Sequence, residues 1–435
     1  MAIMVGKILN TIDVFGVSND TVETYVTREK VDTAFLEGLT KNKHIIVYGA
    51  SKQGKTELTN KHLQPEQYIR VNCSHNSAPI DLYKSIIRQL GIEFEEAREA
   101  TTTFAGETKG GIKASVKIPF LVAVEATGEI GGGVEKEDKT IYKTVEFNLE
   151  LAQDISELLR QVNFTKRIIL ENFHYLSLET QKQLSIDLRI FEDSNILFII
   201  LGIWREKNRL GQFNGDLLDR MIEVPVEPWE VEDLKRIVNE GEPLLNVNFQ
   251  NVVDKLIETC FDSVGVFQEL CKEACFVAKV KNTSEDTVEI TEEHVKNAIE
   301  KKLGDYSSRH IRCLEAFVEQ KAKSSDETPL YIPYYFIRVL LSEKFEEVTK
   351  GLKRRSIQEQ IKQIHHRPND VRPSDMGYFL TNLVTNQIKK NISPPIFDFD
   401  ISTSSVKIID STFYFFLKNC DKSEVSDNIS APDGI

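Results

Sequence analysis

The chain has 435 residues, 41% of them hydrophobic and 28% charged, and its 54 Lys+Arg against 67 Asp+Glu give a formal net charge of −13. That apolar share excludes a wholly disordered chain, and the acidic balance excludes a protein that coats nucleic acid over its whole surface, leaving room only for a regional basic patch. No apolar run reaches the roughly 18 to 20 residues of a membrane-spanning helix, and residues 1–13 lack the basic end and long apolar stretch of a signal peptide. The expectation is a cytoplasmic protein with no membrane partner and, at roughly 150 residues per domain, about three units. The cysteines at 73, 260, 271, 275, 313 and 420 are too sparse for a disulfide framework and are expected reduced. Cys271 and Cys275 share a helix face, but no second close pair of ligands accompanies them, so they read as buried thiols.

In chain order, residues 44–48 (HIIVY) read as a buried strand that runs straight into Gly49-Ala50-Ser51-Lys52-Gln53-Gly54-Lys55-Thr56, with a helix expected from Lys55. Strand, G-x-x-x-x-G-K-T loop and helix come in the order that a phosphate-binding loop requires. Gly49 and Gly54 let backbone N–H groups turn inward, toward a space that the positive end of the helix dipole also faces. Lys55 then reaches the β- and γ-phosphates as a point charge, and the Thr56 hydroxyl is a ligand for Mg²⁺. The cofactors implied are ATP and Mg²⁺.

A second strand at 68–72 and an amphipathic segment at 80–91 complete one βαβα repeat. From about 99 to 143, Gly106, Gly110, Gly111, Gly128 and Gly131 to Gly133 punctuate an alternating stretch, read as an insertion in the form of a β-hairpin or mobile loop. It is either an excursion without a role or a site of partner or subunit contact. A helix at 149–162 leads to a strand at 167–170 that ends in Glu171-Asn172. A carboxylate at such a strand end holds Mg²⁺, and Glu171 takes that role. Asn172 stands where hydrolytic P-loop proteins often carry a carboxylate that activates water. An amide orients water but is no base, so hydrolysis is slow or a neighbour such as His174 assists, although a structural role suits a single histidine there better.

The next strand, 195–201, ends in Gly202-Ile203-Trp204-Arg205, which places Arg205 either toward the γ-phosphate or in a surface salt bridge. Residues 215–220 lead into a last strand at 221–226, with Arg220 just before it. Helical patterns at 231–238, 249–259, 264–280 and 291–302 follow, the last expected to be capped at Thr291.

Taken in order, Gly49 to Thr56, 168–172, 201–205, Arg220 and the helical segment resemble the AAA+ and STAND ATPases, especially the branch near the origin-recognition initiators. Tyr25-Val26-Thr27-Arg28-Glu29 resembles the hydrophobic-Gly-Arg-Glu box beside the adenine of those proteins, with Thr27 in place of the usual glycine. The resemblance covers roughly residues 20 to 303. It implies an α/β fold, a P-loop parallel-sheet core with a helical lid, and it places Tyr25 and Val26 beside the base. It puts Arg205 at the first-sensor position and makes Arg220 an arginine finger acting on a neighbour's nucleotide, hence a homo-oligomer when ATP is bound. Gln268 stands where a second-sensor arginine is often found, without its charge. With Asn172 and Gln268 both departing from the pattern, the chain resembles a nucleotide-dependent switch more than a fast motor. It is also similar to a large set of poorly characterised bacterial ATPases, and many STAND-like bacterial proteins serve in phage defence or signalling.

Beyond Ser307, helical patterns at 311–322, 332–345, 352–366 and 374–390 precede strands at 396–401 and 405–409 and a helix at 411–419, an order that reads as a winged helix. Lys353, Arg354, Arg355, Arg367 and Arg372 make this region locally basic. Such a unit contacts DNA or docks a protein; if 374–390 enters a groove, Ser374, Tyr378, Asn382 and Asn386 meet base edges. The expected organisation is therefore an N-terminal segment (1–40), a core (41–228), a lid (229–303), a winged-helix-like domain (304–421) and a disordered polar tail (422–435). The expected function is an ATP-binding, slowly hydrolysing switch whose nucleotide state controls assembly and engagement of DNA or a partner, with phage defence as a family-level expectation. The alternative is a non-hydrolysing, nucleotide-bound adaptor that recruits an effector protein; a P-loop kinase is a weaker third, since a long lid and winged helix have no place in it.

Overall fold

The structure, a computed structural model, describes residues 8–17, 22–98, 112–121, 140–320 and 329–432. Among the described residues, eight strands precede the long helical segment: β1 (His44–Tyr48), β2 (Tyr68–Asn72), β3 (Phe94–Arg98), β4 (Ile112–Leu121), β5 (Thr140–Asn148), β6 (Arg167–Glu171), β7 (Phe198–Gly202) and β8 (Met221–Pro225). Five form one parallel sheet in the order β2-β6-β7-β1-β8. Every residue of β1 and of β7 is buried, as expected of strands covered on both faces. The period of two sorts their side chains: Ile46, Ile168, Leu170, Phe198 and Ile200 pack with Ile86, Leu158 and Leu184 on one face. Ile45, Val47, Ile169, Ile199 and Leu201 meet Phe35 and Leu58 on the other. At roughly 1.5–3 kcal/mol for each fully buried aliphatic side chain, these two layers hold the strand ends, and so the site, in fixed register.

Strands β3, β4 and β5 form a separate antiparallel sheet, with β4 and β5 paired from Lys113↔Asn148 to Leu121↔Thr140. Of the stretch 99–143, expected as a β-hairpin or mobile loop, the described residues 112–121 and 140–143 belong to these paired strands, and the sheet reaches out to 94 and 148. The glycines at 106, 110, 111, 128 and 131–133 lie outside the described residues.

Helices Val231–Leu245, Val253–Cys260 and Val264–Val277, with the two-residue strands β9 (Val247–Asn248) and β10 (Val288–Glu289), surround a third core cluster that includes Cys260, Cys271 and Cys275. All six cysteines are free. The helices expected at 291–302 and 311–322 are instead one helix of 27 residues, Glu292–Val318. Gly304, inside it, costs about 1 kcal/mol relative to Ala, too little to interrupt so long an element. The expected boundary at 303/304 therefore falls within a helix.

The C-terminal part holds β11 (Leu352–Lys353), β12 (Phe397–Asp400) and β13 (Ser405–Ile408) in an antiparallel sheet of order β11-β13-β12, with helices Ile332–Ser342, Phe345–Lys350, Arg354–Ile364 and Ser411–Asn419 around it. Residues 352–353, expected helical, pair with β13, and the helix starts at Arg354. The helix expected at 374–390 is two, Pro373–Thr381 and Leu383–Lys389, meeting at Asn382, whose side chain donates to the Tyr378 carbonyl at 2.9 Å. The tail expected to be disordered forms a helix over Lys422–Asn428. Asp421 caps it by accepting from the Ser423 and Glu424 amides, and Val425 and Ile429, four residues apart, bury one face against the C-terminal core. Among the described residues no helix is long and apolar enough to cross a membrane.

Candidate nucleotide site

The phosphate loop, Asn72, Glu171 and Ile203 all lie at the carboxyl ends of the parallel strands, where open α/β sheets meet ligands. They line a cleft of about 580 Å³. Gly54 has φ 81°, a left-handed conformation in which a side chain would be strained, and it starts the helix Lys55–His62 with its amide end toward the cleft. The Lys55 ammonium donates to the carbonyls of Gly49 (3.1 Å) and Ala50 (2.6 Å). Burial pulls its pKa down to about 8, against the opposing pull of Glu227 and Glu171.

The Thr56 hydroxyl donates to Glu171 Oε1 at 2.9 Å, and Arg70 donates to Oε2 at 3.0 Å. A hydroxyl and a carboxylate brought together suit Mg²⁺, a hard cation that takes one or two protein oxygens and completes its shell with phosphates and water. Among the described residues no group of three or more His, Cys, Asp or Glu offers an all-protein metal cage. Thr56 and Glu171 are thus the residues that fit the ion. Beside them Asn172 has φ 60°, and it opens the short turn Phe173–Tyr175 that brings His174 to the cleft wall. Asn tolerates this left-handed backbone better than most residues do.

Where the resemblance puts the base, Val26 is buried and Tyr25 donates to Asp32 Oδ1 at 2.7 Å, and Tyr25, Val26 and Arg28 line the cleft. Burial, then the bond to Asp32, raises the Tyr25 pKa well above its usual value. The Arg28 guanidinium lies 3.8 Å from the centre of the Trp229 ring and donates to the Val226 carbonyl at 2.6 Å. Gln268 is buried; it accepts from the Gly16 amide at 3.3 Å and donates to Thr24 at 3.1 Å, tying the N-terminal segment to the helix Val264–Val277. That helix reaches the phosphate loop itself. The Gly265 amide donates to the Lys52 carbonyl at 3.0 Å, and a Cβ at Gly265 would stand 2.5 Å from that of Lys52, closer than real atoms approach.

The loop strand β1 and the acid strand β6 flank β7, with β2 and β8 outside them and a helical unit laid against the loop. The fold is a P-loop α/β fold with a five-stranded parallel sheet. No family model matches the chain, and no curated protein does. Among solved structures, the chain is similar to the Aeropyrum pernix ORC1 protein in complex with DNA, at 13% identity and TM-score 0.45, covering 96% of this chain and 98% of that one. It is similar to the Aeropyrum pernix ORC2 protein at 13% identity and TM-score 0.44, covering 98% of each. It is also similar to a Walker-type ATPase of Pyrococcus abyssi, at 15% identity and TM-score 0.42, covering 92% and 97%.

Arg205 is not among the residues that line the cleft. It donates to Glu227 Oε2 at 2.9 Å and to the Tyr414 hydroxyl at 3.2 Å, the latter on the helix Ser411–Asn419. Glu227 also accepts from the Ala50 amide (2.9 Å) and from Gln53 (3.2 Å), so it joins the loop to Arg205. Ser51, in the middle of the loop, is gripped from the C-terminal part. Its amide donates to the Ile409 carbonyl at 2.9 Å, its carbonyl accepts from the Ser411 hydroxyl at 2.5 Å, and its hydroxyl donates to Asp410 at 3.3 Å. Arg220 precedes β8 at the other edge of the sheet, beside His44, and pairs with Glu192 and, at 2.6 Å, Asp193. A five-residue strand at ~3.3 Å per residue separates that edge from its own loop by roughly 16 Å.

Lys353, Arg354 and Arg355 line one surface pocket, while Arg355 pairs with Glu359 at 2.9 Å and Arg367 with Asp370 at 2.5 Å. Arg372 opens the helix Pro373–Thr381, on which Tyr378 is 75% exposed. Sequence reasoning missed Arg70, Glu227 and Trp229. Arg70 had a signal, a lone cation in an apolar strand; Glu227 had none, because its partners are set by the packing of three separate segments.

Proposed function

We propose that this protein is an ATP- and Mg²⁺-dependent switch that hydrolyses slowly, with the nucleotide state of the loop read by the C-terminal part. The observation that carries the reading is the direct grip on Ser51: Ile409, Asp410 and Ser411 bond to the phosphate loop with no intermediary. A loop that closes on phosphate and a segment that closes on the same loop are thermodynamically linked, so each biases the other. Lys55 neutralises the β- and γ-phosphates, Thr56 and Glu171 hold Mg²⁺, and the ion when bound spreads the charge that develops on the phosphates. Arg220, outside its own cleft, acts on a neighbour's nucleotide in an ATP-bound oligomer. The cations at 353–355 engage the phosphates of DNA.

Asn172 favours one rival reading, the adaptor that binds nucleotide without turnover. Phosphate release measured beside nucleotide binding separates the two. The switch predicts slow turnover that Lys55→Ala abolishes and a change of particle size with an ATP analogue. Binding without turnover, as a monomer in every state, supports the adaptor.

A further inference from the structure

We infer that His174 orients the attacking water in the hydrolytic step, an inference that rests on the proposed reading of the cleft as an ATP site. His174 is 4% exposed, lines the cleft with Lys55 and Glu171, and neither of its ring nitrogens has a hydrogen-bond partner among the described residues. Its ring packs against Tyr175, with centroids 4.2 Å apart. An unpaired buried polar group is costly, and native structures keep few of them without a use. The groups next to it are already committed: Glu171 is held by Thr56 and Arg70, and Asn172 can take no proton. Burial, with the nearby Lys55 and Arg209 charges, holds the imidazole neutral. A neutral imidazole offers one acceptor and one donor, the pair that an oriented water and an adjacent phosphoryl oxygen require.

In the step itself the water oxygen forms its bond to the γ-phosphorus as the bond from that phosphorus to the β,γ-bridging oxygen breaks. ADP leaves with the electron pair, and the water's proton passes to a phosphate oxygen. His174 accepts a hydrogen bond from the water and aligns it without taking the proton, the service an amide performs in other P-loop hydrolases.

The test uses the full chain with ATP and Mg²⁺, measuring kcat, KM and the affinity for a fluorescent ATP analogue in wild type, His174→Ala, His174→Gln and His174→Phe. Expected is a loss of about 100-fold in kcat for Ala and Phe with affinity within about threefold of wild type, while Gln, which keeps a donor and an acceptor, stays within about tenfold. If Ala does not fold, the comparison of Gln with Phe decides. Phe at wild-type kcat would mean that the ring only fills space, and kcat within about threefold of wild type in Ala and Phe together overturns the inference. Wild type that binds ATP but releases no phosphate overturns this inference and the hydrolytic part of the switch while the nucleotide site stands; wild type that binds no ATP overturns the nucleotide reading as well.

Discussion

Folding carries the Lys55 ammonium out of water, and its pKa drops from 10.5 to about 8 as a result. A drop of that size corresponds to roughly 3 kcal/mol working against the folded, nucleotide-free protein at pH 7. Lys55→Met keeps the length and apolar volume of the side chain, removes the charge and gives up the two bonds to the Gly49 and Ala50 carbonyls. The nucleotide-free variant should therefore be more stable than wild type by about 1 to 3 kcal/mol at pH 7. Because the folded pKa lies below the unfolded one, the penalty is present in full below pH 8, shrinks as the folded amine loses its proton, and is gone above 10.5, where neither state is charged. Urea unfolding followed by the fluorescence of Trp204 and Trp229 measures the difference, at pH 7 and again near pH 10.5. Excess ATP should reverse the order, since it stabilises only the protein that binds it. A variant no more stable than wild type at pH 7 without nucleotide would refute the reasoning.

The same amine predicts that ATP affinity holds to about pH 8 and then falls, by up to tenfold per pH unit, as the free protein loses the proton that faces the phosphates; a flat titration to pH 9.5 would count against it. Glu171→Gln preserves shape but loses the charge that Thr56 and Arg70 address, so nucleotide binding should persist while turnover falls by about 100-fold, as phosphate release will report. Burial acts to raise the Asp410 pKa, but His310, Arg309 and the bonds from Arg309 and Thr412 hold it below the usual carboxylate range. Its stabilisation is thus present above about pH 4 and lost as pH falls through the folded value, and Asp410→Ala, which also removes a helix cap, should cost about 2 kcal/mol in urea unfolding at pH 7. Reversal of Lys353, Arg354 and Arg355 to Glu should remove salt-sensitive binding to duplex DNA; unchanged binding would exclude that patch.

Much of the core was legible because its signals are local. The HIIVY strand, the glycines of the loop and Lys55-Thr56 each act within a few residues, and the strand ending at Glu171 announces itself by an apolar run that stops at a carboxylate. What escaped was set by packing between distant segments. Glu227 gains its role only when β8 ends beside the loop and Arg205 swings toward Tyr414. The junction near 303 vanished because helical propensity carries one element through it, and the tail became a helix because Val425 and Ile429 find apolar partners that composition cannot reveal. Arg205 shows the limit of strand-end reasoning, which fixes where a residue starts but not the direction its side chain takes.

Hydrogen exchange at residues 49–56 and 405–419, without nucleotide, with ADP·Mg²⁺ and with a slowly hydrolysed ATP analogue, tests the central claim most directly. The account predicts that nucleotide changes exchange in both segments together, because the Ser51 amide is shared between the loop and Ile409. Protection of the loop alone, with 405–419 unchanged in every state, would contradict it.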